Sequence, residues 1–72
     1  MRLTVFGATG TVGRPLVQQA LDAGHEVTAF TRDAAKVTTR HERLTVVEGD
    51  VTDPGSVLPA VEGADAVVVT LG

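Results

Sequence analysis

Apolar residues recur along this chain in two alternating rhythms. Four short runs have strand length and are rich in β-branched residues: RLTVF at Arg2–Phe6, EVTAFT at Glu26–Thr31, LTVVE at Leu44–Glu48 and AVVVTL at 66–71. Between the first two, Val12, Leu16, Val17, Ala20 and Leu21 fall at i, i+4, i+5, i+8 and i+9, which is one face of a helix. Pro15 sits in the first turn of that helix, where its missing N–H does little harm, and Gly24 reads as the C-cap. Residues 33–37 (DAAKV) predict a short helix with Asp33 as N-cap, followed by the polar connection TTRHER. Asp53-Pro54 opens another helix as N-cap and first residue. Pro59 falls inside it, so this helix should be short or kinked, and Gly63 should end it.

The order is therefore β-α-β-α-β-α-β, which predicts an α/β fold with parallel strands and right-handed crossover helices. The fourth run is continuously apolar and the third nearly so, the pattern of strands buried on both faces. At 72 residues the chain makes one small domain, and no repeat or linker interrupts it. Phe6 and Phe30 are its only aromatics, so the core should be built from Val, Leu and Ala. Cys is absent, which excludes disulfides and thiolate metal sites and fits a reducing cytoplasm. His25 and His41 lack a ligand spacing, and no metal site is expected. A net charge of −3 with scattered basic residues argues against nucleic acid as a partner. No apolar run approaches the roughly 20 residues of a membrane span, and the N-terminus has no signal-peptide layout.

The candidate chemistry lies at "VFGATGTVGRP", residues 5–15, where Gly7, Gly10 and Gly13 punctuate the passage from strand to helix. A helix N-terminus offers unpaired N–H groups and the positive end of its dipole, and both favour a phosphate. Gly7 suits a tight turn out of the strand, Gly10 removes a Cβ where a pyrophosphate would approach, and Gly13 lets the helix pack on the sheet. Thr9 and Thr11 add hydroxyls suited to a phosphate or to capping the helix. The string alone also fits a glycine-rich turn without a ligand. Its place after a strand and before a helix favours a dinucleotide. No Gly-Lys-Ser/Thr is present, which argues against nucleoside triphosphate hydrolysis. At the end of the second strand an acid would bond the ribose hydroxyls of NAD, and a base would take the extra phosphate of NADP. This chain has Arg32 there, with Lys36 a turn later, and Asp33 is better placed as a cap; NADP is favoured over NAD.

The stretches "VFGATGTVGRPLVQQALDAGHEVTAFTRDAAKV", "VVEGDVTDP" and "GADAVVVTLG" together resemble the N-terminal half of the atypical and extended short-chain dehydrogenases. The nearest groups are the NmrA-like proteins and the biliverdin/flavin-reductase type of NAD(P)H-binding protein. The resemblance covers nearly the whole chain. It implies a partial Rossmann fold with strand order 3-2-1-4. It places Gly7, Thr9, Gly10, Thr11 and Val12 around the pyrophosphate, with Gly13 structural. Arg32, joined by Lys36, would contact the adenosine 2′-phosphate. Asp50 and Val51 would flank the adenine, Asp50 accepting from its exocyclic amine, though Asp50 also reads as an ordinary turn residue and Val51 as core. Leu71 and Gly72 would line the adenosine and nicotinamide riboses.

The same resemblance implies that residues 1–72 are the first half of a longer NAD(P)-binding domain. Many relatives use a Tyr-x-x-x-Lys pair for proton transfer, and this chain has no Tyr. No catalytic residue is expected within it, and alone it should be inactive. Two functions compete. One is the cofactor half of an NADPH-dependent oxidoreductase that passes hydride to a small carbonyl, flavin or quinone-like substrate. The other is an NmrA-like regulator that senses the dinucleotide without turning it over. With order 3-2-1-4 the fourth strand would be an edge, and self-association through it is expected.

Overall fold

The computed structural model describes residues 1–70. Four parallel strands form one sheet in the order β3-β2-β1-β4. They are β1 (Arg2–Phe6), β2 (Glu26–Thr31), β3 (Leu44–Glu48) and β4 (Ala66–Val69). Helix α1 (Gly13–Asp22) joins β1 to β2, a single 3₁₀ turn (Ala34–Lys36) joins β2 to β3, and α2 (Pro54–Val61) carries the chain back from β3 to β4. The order expected from the sequence is the order observed.

Local chemistry explains most boundaries. Helix α1 ends in a Schellman motif: the His25 N–H donates to the Ala20 carbonyl and the Gly24 N–H to Leu21, each at 3.0 Å. Gly24 has φ +90°, which few other residues adopt. The Asp33 carboxylate accepts from the Ala35 N–H at 3.1 Å, so the expected helix over 33–37 is a capped turn of three residues. The Asp53 carboxylate accepts from the Gly55 N–H at 3.0 Å, Pro54 follows it, and α2 stops after eight residues with Pro59 inside.

The two faces of the sheet carry separate cores. On the α1 face, Val5, Val27 and Ala29 pack with Ala8, Val17, Ala20 and Leu21. On the α2 face, Phe6 and Phe30 meet with ring centroids 4.9 Å apart and close over Ala60. Thr4 is buried between them and the helix, and its hydroxyl donates to the Ala60 carbonyl at 2.7 Å, which fixes α2 to β1. A buried hydroxyl without that partner would cost roughly 1–3 kcal/mol.

Three expectations need correction. The strand β4 ends at Val69 rather than running through 70 (Leu71 lies outside the described residues), and it is not buried on both faces. Val67 is 46% exposed and Val69 63%, because α2 packs over Phe6, Phe30 and Val47 and leaves β4 uncovered. The strand β3 is likewise half-open, with Val46 exposed, because it forms the opposite edge. Val12, assigned to the apolar face of the first helix, precedes that helix and turns its side chain to solvent.

Candidate functional site

The bend from β1 to α1 uses its three glycines in different ways. Gly7 takes φ +80°, and a Cβ there would run into the Thr70 carbonyl and lie 2.5 Å from the Thr70 hydroxyl. A Cβ on Gly13 would collide with the Gly7 carbonyl oxygen and come within 2.9 Å of the Ala8 Cα. These two glycines are demanded by the fold itself: one turns the chain, and the other lets α1 approach the loop. Gly10 differs from both. Its φ is not positive, and no clash with a described residue is found for a Cβ built on it. Nothing in the described protein asks for glycine at that position.

The start of α1 is open in a second respect. Both α2 and the 3₁₀ turn have a carboxylate at their N-cap, but α1 has Val12 at that position and no side-chain cap. Of the two roles open to the Thr9 and Thr11 hydroxyls, phosphate binding or capping, capping does not occur. The Arg14 N–H donates to the Gly10 carbonyl at 3.1 Å and Leu16 to Val12 at 3.3 Å. The N–H groups of Thr11, Val12 and Gly13 have no hydrogen-bond partner among the described residues. Uncapped donors at the positive end of a helix dipole are the elements of an anion seat.

Beside this bend a cleft of about 930 Å³ opens over the carboxyl ends of the strands. It is lined by Phe6 and Gly7 from the end of β1, Arg32 after β2, Val51 after β3, Val57 of α2, and Val69 and Thr70 at the end of β4. The chain leaves β1 on one side of the sheet's midline and returns into β4 on the other, and such switch points are where open α/β sheets bind ligands. The walls are mostly apolar, with Arg32 the charged group among the lining residues. The structure thus brings Gly7, Arg32 and Val51 into one cleft. Val51 is 61% exposed there, so it is not a core residue.

Asp50 stands beside Arg32. One carboxylate oxygen accepts from the Thr52 N–H at 2.9 Å and from the Thr52 hydroxyl at 2.8 Å, and the other accepts from Arg32 Nη2 at 3.5 Å. The bonds from Thr52, with a smaller contribution from the Arg32 charge, hold the Asp50 carboxyl below its ordinary value. Asp50 therefore does serve as a turn residue, and it is also the ion-pair partner of Arg32. Lys36 lies elsewhere: with Thr9, Arg14 and Thr38 it lines a small recess on the α1 side. The structure brings Lys36 beside Arg14 and does not bring it into the cleft with Arg32. Leu71 and Gly72, assigned to the ribose positions, lie outside the described residues.

Two residues of this region escaped the sequence reading. The Thr70 N–H donates to the Phe6 carbonyl at 2.9 Å, and its hydroxyl reaches the carbonyls of Phe6 and Gly7 at 2.9 and 3.0 Å, so β4 is tied to the bend. A Cβ on Gly49 would come within 2.9 Å of the Phe30 ring and 2.8 Å of Ser56, so this glycine lets the end of β3 lie against the aromatic pair. A Thr ending an apolar run and a Gly ending a strand were the available signals, and neither is specific.

Known proteins resemble this chain in sequence and in fold. The chain is 42% identical over 69 residues to the photosystem II assembly factor Ycf39 of Synechocystis sp., covering 94% of this chain and 21% of that protein. It is 41% identical over 69 residues to the 3 beta-hydroxysteroid dehydrogenase/Delta 5→4-isomerase of Mycobacterium tuberculosis, covering 96% of this chain and 18% of the relative. The chain thus spans about a fifth of the length of these curated relatives. Its fold superposes with a TM-score of 0.85 on the Bordetella bronchiseptica enzyme WbmG, solved in complex with NAD, at 28% identity and covering 100% of this chain and 25% of that one. Residues 7–72 match the model of a family described as NAD(P)H-binding. That match takes in the whole bend from Gly7 into α1, and the chain belongs to this NAD(P)H-binding family.

Proposed function

We propose that this chain is the cofactor-holding segment of an NADPH-dependent oxidoreductase whose substrate is a small carbonyl, flavin or quinone-like compound. The observation that carries the reading is the unexplained glycine: among the described residues Gly10 has neither positive φ nor a neighbour that excludes a Cβ, and it lies at the uncapped start of α1. A pyrophosphate supplies the missing reason, since its oxygens must come within hydrogen-bond distance of backbone N–H groups.

In this reading the N–H groups of Thr11, Val12 and Gly13 donate to the pyrophosphate, with the Thr9 and Thr11 hydroxyls beside them. Gly7, held by Thr70, and Gly13 give the bend its shape. Arg32 takes the adenosine 2′-phosphate through charge-assisted hydrogen bonds, and Lys36 adds positive potential from the α1 side. Val51 and Val57 offer apolar surface to the adenine, and Leu71 and Gly72 are assigned to the riboses. The bound dinucleotide supplies the hydride, while the protein supplies orientation and exclusion of water. No residue of this chain is assigned proton transfer, and the substrate pocket is assigned to the remainder of a longer protein. Stopped-flow measurement of NADPH oxidation by the full-length protein, with flavins, quinones and aldehydes as acceptors, tests the proposal. Turnover with one class supports it, and saturable binding without turnover of any class overturns the catalytic part.

One observation favours a second reading. The relative at 42% identity is an assembly factor by name, not a reductase. Dinucleotide binding without turnover, in the manner of a sensor, uses the same bend and the same cleft.

A further inference from the structure

Arg32 is the receptor that the NADPH reading assigns to the 2′-phosphate, and the chain has placed an acid on it. The Asp50 carboxylate lies 3.5 Å from Arg32 Nη2, and Arg32 makes no other side-chain hydrogen bond among the described residues. Asp50 is not a loose neighbour. Its second oxygen is fixed by the N–H and hydroxyl of Thr52 at 2.9 and 2.8 Å, so the charge stays at the mouth of the cleft. The guanidinium is the looser member, at 78% side-chain exposure against 43% for Asp50, and a single nitrogen makes the contact.

We propose that Asp50 is a specificity-determining residue that competes with the 2′-phosphate for Arg32 and so narrows the preference for NADPH over NADH. The inference rests on the NADPH reading above. An ester phosphate carries close to two negative charges at neutral pH. To reach Arg32 it must displace Asp50 or sit beside it, and either outcome costs the phosphorylated cofactor. NADH presents only a hydroxyl at that position and meets no such penalty. The contact is too exposed and too long to serve as a rigid positioning bond, so its removal helps the phosphate more than it harms the placement of Arg32. Specificity is a difference of affinities, and an acid near the phosphate receptor changes one term of that difference.

Asp50→Asn isolates the charge, because the amide keeps an oxygen for the two bonds from Thr52. Dissociation constants for NADPH and NADH are measured by calorimetry on the full-length protein, with a thermal melt to establish that the variant folds. The expected result is a preference for NADPH over NADH, read as the ratio of the two dissociation constants, that rises about two- to fivefold, the scale of an exposed ion pair; any contact with the adenine is common to both cofactors and cancels in that ratio. In an Arg32→Ala background the gain should disappear. Equal weakening of both cofactors overturns the inference and makes Asp50 an adenine ligand. Weakening of NADPH alone also overturns it and makes Asp50 a support for Arg32. If Arg32→Ala fails to separate the two cofactors, the NADPH reading itself falls. If it separates them and Asp50→Asn does not, only this inference falls.

Discussion

Adding one carbon atom at Gly10 or at Gly13 should have opposite consequences, although only two residues separate them and both belong to the same motif. In Gly13→Ala the new Cβ meets the Gly7 carbonyl and the Ala8 Cα, backbone atoms that no rotamer change can move. Helix α1 must withdraw, and it carries Val17, Ala20 and Leu21 into the core. Overpacking of this kind costs about 1–3 kcal/mol. In Gly10→Ala the Cβ meets no described residue and the backbone is not left-handed, so stability should change by less than about 0.5 kcal/mol or rise slightly. The same carbon occupies the approach to the unpaired amides. Losing one charge-assisted hydrogen bond there weakens dinucleotide binding by about 1.5–3 kcal/mol, or roughly 10- to 150-fold in Kd. Urea unfolding and calorimetric titration of the two full-length variants give both quantities. Unchanged dinucleotide affinity in a folded Gly10→Ala variant would refute the reasoning, because the glycine would then be as idle for the ligand as it is for the fold.

Four further outcomes follow from other contacts. Arg32→Ala should weaken NADPH by about 1.5–3 kcal/mol and leave NADH nearly unchanged; equal losses in a titration would remove Arg32 from the phosphate. Gly49→Ala should lower the urea midpoint by the equivalent of about 1–3 kcal/mol, since the Phe30 ring must shift. The Asp50 carboxyl titrates below its ordinary value of 3.8, so its contribution to stability is complete above that value. It is lost as the pH falls through the lowered folded value, and Asp50→Asn should flatten that part of an acid-unfolding curve. Finally, the edge of β4 carries the exposed Val67 and Val69, and we propose that the 72-residue chain by itself self-associates there; a monomer by light scattering at micromolar concentration would oppose this.

The elements and their order were legible because each is marked by local chemistry. Asp33, Asp53, Pro54 and Gly24 act on their own neighbours, and the structure uses each as its residue type suggests. The exposure of β4 was not legible, because an apolar run records what a strand tolerates and not what covers it. AVVV reads the same whether a helix lies over it or ends short of it, as α2 does here. Within the candidate site the glycine string was legible as a motif, but its division of labour was not. The sequence shows three equal glycines, and only the surrounding atoms separate Gly7 and Gly13, which the fold requires, from Gly10, which no described neighbour requires. The Arg32–Asp50 pair joins residues far apart in sequence across the ends of β2 and β3, a contact that no local pattern encodes.

The account stands on the claim that the amides between β1 and α1 receive a pyrophosphate. A ¹H–¹⁵N NMR titration of the full-length protein with NADPH tests this at the atoms concerned. The largest amide shifts should fall on Thr11, Val12 and Gly13, whose N–H groups have no partner among the described residues. Saturating shifts confined to other parts of the molecule, with these three unmoved, would contradict it.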